Sequence, residues 1–163
     1  MEALSKVILD TRDLKIHHIQ NKQGHPLKFA LGEKHQVGQP LEIILEQPVA
    51  LGSEFTINIK YETSENASGL QWLDPQQTEG KKHPYLFSQF QAIHSRSVIP
   101  CIDSPSVKQT YSAAVHVPSN LVALMSALPV QNEDTNHPNS TTKTYRFRQP
   151  LPIASYLIAL AVG

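Results

Sequence analysis

Apolar and polar residues alternate along most of this chain, and no other feature restricts its fold as tightly. Phe55, Ile57, Ile59 and Tyr61 fall on one face of an extended segment while Thr56, Asn58, Lys60 and Glu62 fall on the other. That period of two marks a half-buried β-strand. The pattern recurs where Leu41, Ile43 and Leu45 oppose Glu42, Ile44 and Glu46, and where Tyr111, Ala113, Val115 and Val117 oppose Thr110, Ser112, Ala114 and His116. Tyr145 and Phe147 likewise alternate with Thr144, Arg146 and Arg148. Residues 156–162 are almost wholly apolar and are expected to form a strand buried on both faces. Turn residues punctuate these runs at Gly24-His25-Pro26, Gly52-Ser53, Glu79-Gly80 and Asp103-Ser104-Pro105. Short strands at such spacing predict an all-β fold, an antiparallel sandwich of curved sheets. There is no internal repeat. Residues 131–142 are polar and unpatterned, and read as a long hairpin loop between strands near 121–127 and 143–148.

Composition narrows the function classes. With 163 residues, one domain can bury on the order of 70% of the surface its unfolded chain exposes, so no disulfide or metal staple is required. The single Cys101 cannot form an internal bridge. Fourteen basic residues balance fourteen acidic ones, which argues against nucleic acid or an anionic membrane as a partner bound through overall charge. Charged residues are 17% of the chain, below the usual quarter, which disfavours a helix-rich or coiled-coil reading. Glu2 and Lys6 interrupt the opening residues, so no signal-peptide core is read there. No apolar run approaches the roughly 18 residues of a membrane span, and a cytoplasmic protein is expected. The sequons at Asn66 and Asn139 read as chance matches in polar loops. The chain starts almost on a strand and stops at Gly163 just after a buried-type segment, so the domain is expected to be truncated at both ends.

Motifs of catalysis are missing. None of the eight histidines lies in H-E-x-x-H or at the i, i+4 spacing that would bring two imidazoles to one metal. His17 and His18 are adjacent on an expected strand and point to opposite faces. Cys101 lies near His94 and Asp103 in sequence but reads as a buried structural thiol beside Pro100. There is no G-x-S-x-G and no glycine-rich phosphate loop. No catalytic or metal-binding residue is therefore assigned. One segment raises a binding question. The pattern from Tyr85 to His94 is extended, and Gln89 and Gln91, at i and i+2, project to one face. Each carboxamide carries donors and an acceptor, so the pair is suited to hold an amide backbone at two points. Two glutamines on a solvated strand face are the structural alternative.

The block Leu70-Gln71-Trp72-Leu73-Asp74-Pro75, followed by His83-Pro84-Tyr85-Leu86-Phe87-Ser88-Gln89 and Gln91-Ala92-Ile93-His94 with Arg96, resembles the leukotriene A(4) hydrolase family of zinc aminopeptidases. Pro100-Cys101 with Asp103, and Pro105-Ser106-Val107-Lys108, are similar to an element shared with the aminopeptidase B branch of the same M1 superfamily. The resemblance implies that residues 1–163 are most of an N-terminal, saddle-like β-domain that precedes a zinc domain and a helical domain. It also implies that Gln89, Phe90, Gln91 and Ala92 reach into the substrate cleft. Phe90 departs from the family, whose close members carry Cys there. The zinc motif, the general-base Glu and the proton-donating Tyr have no counterpart in this chain. Zinc is thus implied for the complete family enzyme and not for this chain. Trp72 is expected to anchor the loop entering the block, and Arg96 and Asp103 to form a structural pair before Pro105.

The reading that follows is an enzyme part, inactive alone. In the complete protein it would face a peptide or lipid-epoxide substrate, with the missing catalytic domain as its partner. The alternative is a naturally truncated, non-catalytic β-sandwich that acts as a binding or regulatory module.

Overall fold

The computed structural model describes residues 3–130 and 141–163. Most of the 131–142 loop, His137 and the sequon at Asn139 lie outside the described residues. The fold is nearly all-β, and every strand pairing among the described residues is antiparallel. The chain forms two compact units. The first comprises Met1–Ala67 and Ser95–Asp103, the second Ser68–His94 and Ser104–Gly163.

In the first unit, β1 (Ala3–Thr11), β2 (Lys15–Asn21), β3 (Phe29–Leu31), β4 (Gln39–Ala50) and β5 (Ile57–Glu62) follow in order. β4 is central in a sheet of order β1-β4-β3, and β2 pairs with β5. Ile19, Leu27, Leu41 and Ile43 are buried together, with Val7, Leu9, Ile16, Ile57 and Ile59 packed against them. All of these but Leu27 come from the strands of the two sheets, so the apolar side of each alternating pattern meets the other. Burying each large aliphatic side chain contributes roughly 1.5–3 kcal/mol. The expected strand at 55–61 starts at Ile57, leaving Phe55 exposed. A second departure lies in β2. The register jumps between Ile16 and His18 opposite Tyr61 and Lys60, a β-bulge that inserts His17 as an extra residue. His17 and His18, expected on opposite faces, are consequently both exposed.

The second unit holds β6 (Leu70–Leu73), β7 (Tyr85–Ser88), β8 (Lys108–Pro118), β9 (Ala123–Met125), β10 (Leu128–Pro129), β11 (Thr142–Ala154) and β12 (Leu160–Val162). They form sheets of order β6-β7-β12-β9 and β10-β11-β8. β8 and β11 are the long ladder, with Val117 opposite Lys143 and Ala113 opposite Phe147. The alternation in β8 places Tyr111, Ala113, Val115 and Val117 on the less exposed face, as expected. Residues 156–162 are not one strand. Ser155–Leu157 form a 3-10 turn closed by the Ile158 N–H on the Ser155 carbonyl at 3.1 Å, and only Leu160–Val162 pair, between β7 and β9. Within 121–127 the strand is likewise three residues long, because the Leu121 N–H turns back to the Pro118 carbonyl at 2.9 Å. Trp72 is not an anchor. It stands on β6, the outermost strand of its sheet, and is 60% exposed.

Candidate functional site

β7 ends at Ser88, where the pairing Leu70↔Ser88 exhausts β6. One more contact continues the ladder, the Gln89 N–H donating to the Gly69 carbonyl at 2.9 Å. Then the chain leaves the sheet. Residues 91–94 turn, and the His94 N–H closes onto the Phe90 carbonyl at 2.8 Å. The extended reading of 85–94 is therefore corrected beyond Ser88. The physical reason is twofold: β6 offers no strand residues past Leu70, and Phe90 turns inward until it is only 2% exposed. The peptide between Gln91 and Ala92 is cis.

In this turn the exposure of the side chains alternates although the backbone is not a strand. Gln89, Gln91 and Ala92 are exposed while Phe90 between them is buried. The Gln89 Oε1 accepts the Gln91 N–H at 3.2 Å, which restrains the orientation of the first carboxamide. At the exit of the turn, His94 Nδ1 lies 2.8 Å from the Ser68 hydroxyl. Sequence reasoning missed Ser68 and Gly69. The signal available was a glycine immediately before the first apolar residue of β6. The paired carboxamides offer neutral donors and an acceptor at a solvent-facing turn, a set suited to a peptide-like ligand.

The second cluster lies in the first unit. Arg96 Nε donates to Asp103 Oδ2 at 3.0 Å, the Arg96 backbone N–H to the same oxygen at 3.2 Å, and Arg96 Nη2 to the Asp103 carbonyl at 3.2 Å. Asp10 joins it, accepting the Asp103 N–H at 2.9 Å and lying 3.4 Å from Arg96 Nη1. Cys101 is buried beside these groups and bridges to Asp10. Its thiol is pushed up to about 12, chiefly by burial and then by the Asp103 and Asp10 carboxylates. Burial of this kind disfavours the thiolate, the form that reacts. The expected structural roles of Arg96, Asp103 and Cys101 are what the geometry gives.

Among the described residues no group of three or more His, Cys, Asp or Glu side chains converges on a point where a metal would sit. The donor set does not fit zinc, and no chemical step through zinc is derived for these residues. An open, largely apolar cavity of about 420 Å³ in the second unit is lined by Leu73, Thr78, His83, Pro84 and Tyr85 among others; residues 89–92 are not part of it. No helix among the described residues is long and apolar enough to cross a membrane.

The described residues thus form an all-β, antiparallel fold that carries an exposed carboxamide turn. The chain belongs to the Peptidase M1 N-terminal domain family, whose profile matches residues 1–157. It is similar to leukotriene A-4 hydrolase of Xenopus laevis, with 51% identity over 163 residues, 99% of this chain and 26% of that protein. Leucine aminopeptidase 2 of Yarrowia lipolytica is 44% identical over 158 residues, 96% of this chain and 23% of that protein. Among solved structures, yeast LTA4 hydrolase in complex with bestatin superposes with a TM-score of 0.80 at 37% identity, covering 97% of this chain and 23% of that one. An M1 zinc metallopeptidase from Deinococcus radiodurans superposes with a TM-score of 0.77 at 25% identity, covering 99% and 35%. The chain spans about a quarter of the length of the curated relatives it matches.

Proposed function

We propose that this chain serves as the N-terminal, substrate-cleft domain of a zinc aminopeptidase of the leukotriene A(4) hydrolase type, and that it is inactive by itself. In this reading residues 1–163 are part of a longer, cytoplasmic enzyme that removes N-terminal residues from peptides. Gln89 and Gln91 hydrogen-bond the peptide backbone, Ala92 leaves room beside them, and Phe90 supports the turn from within. Zinc and the residues that activate water on it belong to the partner catalytic domain.

One observation carries the reading: in a chain of this family, two uncharged carboxamides stand exposed on a turn whose middle side chain is buried. Neutral amides bind a peptide without demanding a charged partner, which leaves the electrostatic work of hydrolysis to the metal elsewhere. Purified chain incubated with zinc and an aminoacyl chromogenic substrate is expected to show no turnover, and zinc-dependent turnover would overturn the accessory role. Trialanine added to isotopically labelled chain is expected to shift the carboxamide resonances of Gln89 and Gln91 ahead of those of other glutamines. A uniform or absent response would remove these two residues from the peptide contact.

A further inference from the structure

Both ends of the 89–94 turn are fastened to the same two residues. At the entrance, the Gln89 N–H donates to the Gly69 carbonyl at 2.9 Å. At the exit, the Ser68 hydroxyl and His94 Nδ1 are 2.8 Å apart. Between them, Phe90 contributes in two ways: its carbonyl accepts the His94 N–H at 2.8 Å, and its ring lies over Gly69. A Cβ at position 69 would sit 2.7 and 2.8 Å from two carbons of that ring and 2.8 Å from the His94 carbonyl oxygen, closer than side chains tolerate. Gly69 does not adopt a positive φ. Glycine is therefore required here by space, not by conformation.

We propose that Ser68, Gly69 and His94 are positioning residues that hold the carboxamides of Gln89 and Gln91 in the arrangement that meets a peptide. The proposal rests on the peptide-contact reading of those two glutamines. The chain of cause is short. Gly69 lets the Phe90 ring close down, the buried ring fixes the backbone on which Gln91 follows, and the Ser68–His94 hydrogen bond stops the exit of the turn from swinging. Gln89 then completes the arrangement by accepting the Gln91 N–H at 3.2 Å. Two polar groups that must engage one backbone together are sensitive to displacements of about 1 Å. A loop tied at one end only would not keep their spacing.

The test uses the labelled 163-residue chain, with trialanine as probe. Ser68→Ala removes one hydroxyl from a position outside any buried core, and Ser68→Thr restores it. Gly69→Ala adds the obstructing methyl. In Ser68→Ala and Gly69→Ala the Gln89 and Gln91 carboxamide resonances are expected to move, and the His94 amide proton to exchange about tenfold faster, the change expected when a local closure weakens. The trialanine concentration for half-maximal shift is expected to rise several-fold in Ser68→Ala and to return to the wild-type value in Ser68→Thr. Should Gly69→Ala fail to fold, the serine pair decides alone. Unchanged carboxamides, exchange and trialanine response in Ser68→Ala would overturn the positioning role while leaving the peptide contact standing. If the variants disturb the turn but trialanine shifts neither glutamine in the wild-type chain, the peptide-contact reading is what fails, and the positioning role falls with it.

Discussion

The carboxylate of Asp103, wholly removed from solvent, accepts both the Nε–H and the backbone N–H of Arg96 at one oxygen, at 3.0 and 3.2 Å. Arg96 in turn reaches the Asp103 carbonyl at 3.2 Å and the Val37 carbonyl at 3.4 Å. The planar guanidinium holds the two ends of the segment Ser95–Asp103 together and ties it to Val37 and Asp10, a geometry a lysine ammonium cannot reproduce. Replacing Arg96 with Met leaves a buried carboxylate without its cation, a change that costs roughly 3–5 kcal/mol. Asp103→Asn costs less, because Asp10 remains 3.4 Å from the guanidinium. Urea unfolding of the two variants is expected to give that order, with Arg96→Lys closer to the Met variant than to wild type.

Cys101 supplies a pH dependence of defined sign. Its ordinary value of 9.0 is pushed up to about 12 by burial first and the neighbouring carboxylates second. Below 9.0 both folded and unfolded chains keep the thiol proton. Between 9.0 and about 12 the unfolded chain releases it while the folded chain retains it. The folded state then binds more protons, so stability falls as pH rises through this window, by at most about 1.4 kcal/mol per pH unit. Tyr61, also raised by burial and by Cys101, adds to the loss. Denaturant midpoints of wild type are expected to decline above pH 9.0 more steeply than those of Cys101→Ser. A thiol reagent is expected to label the folded chain far more slowly than the unfolded one.

Strand faces were legible wherever solvent lies on one side and apolar packing on the other. β8 is the clearest case, since its alternating residues alternate in exposure along the whole strand. Where that contrast fades, the pattern stops being informative. The apolar run at 156–162 signals burial, but burial does not dictate extension, and Ser155–Leu157 turn before Leu160 pairs. At β2 the bulge arises from a register mismatch with β5, a relation between two distant segments that neither encodes alone. The 89–92 site was half legible. Gln89 and Gln91 are both exposed, whereas the turn that carries them depends on where β6 stops and on the room left by Gly69, both long-range facts.

Trp72 illustrates the same limit and gives a direct check. As an aromatic entering a motif-dense block it invited an anchoring role, yet it stands on an edge strand opposite Leu86 with most of its ring in water. It is the only tryptophan, so fluorescence reports it without ambiguity. Emission of the folded chain is expected to lie near that of free tryptophan, to be quenched efficiently by acrylamide, and to shift little on unfolding. Trp72→Ala is expected to change stability by less than about 1 kcal/mol, since little apolar area is lost from a core.

Gln89 and Gln91 are not equivalent, and the difference separates binding from scaffolding. Gln89 uses its Oε1 inside the turn, on the Gln91 N–H, so removing its side chain strips both the proposed peptide contact and an internal bond. Gln91 has no such duty through its carboxamide. Gln91→Ala is therefore expected to leave the His94 amide exchange rate and the Phe90 ring resonances at wild-type values while weakening the trialanine response several-fold. Gln89→Ala is expected to weaken the response and also speed exchange at His94. A conservative Gln89→Glu variant keeps an acceptor for the Gln91 N–H but loses the amino donors; it is expected to preserve the turn and still lose affinity for the peptide. If Gln89→Glu instead binds trialanine as wild type does, the amino group of Gln89 takes no part in recognition and the contact reduces to Gln91 alone.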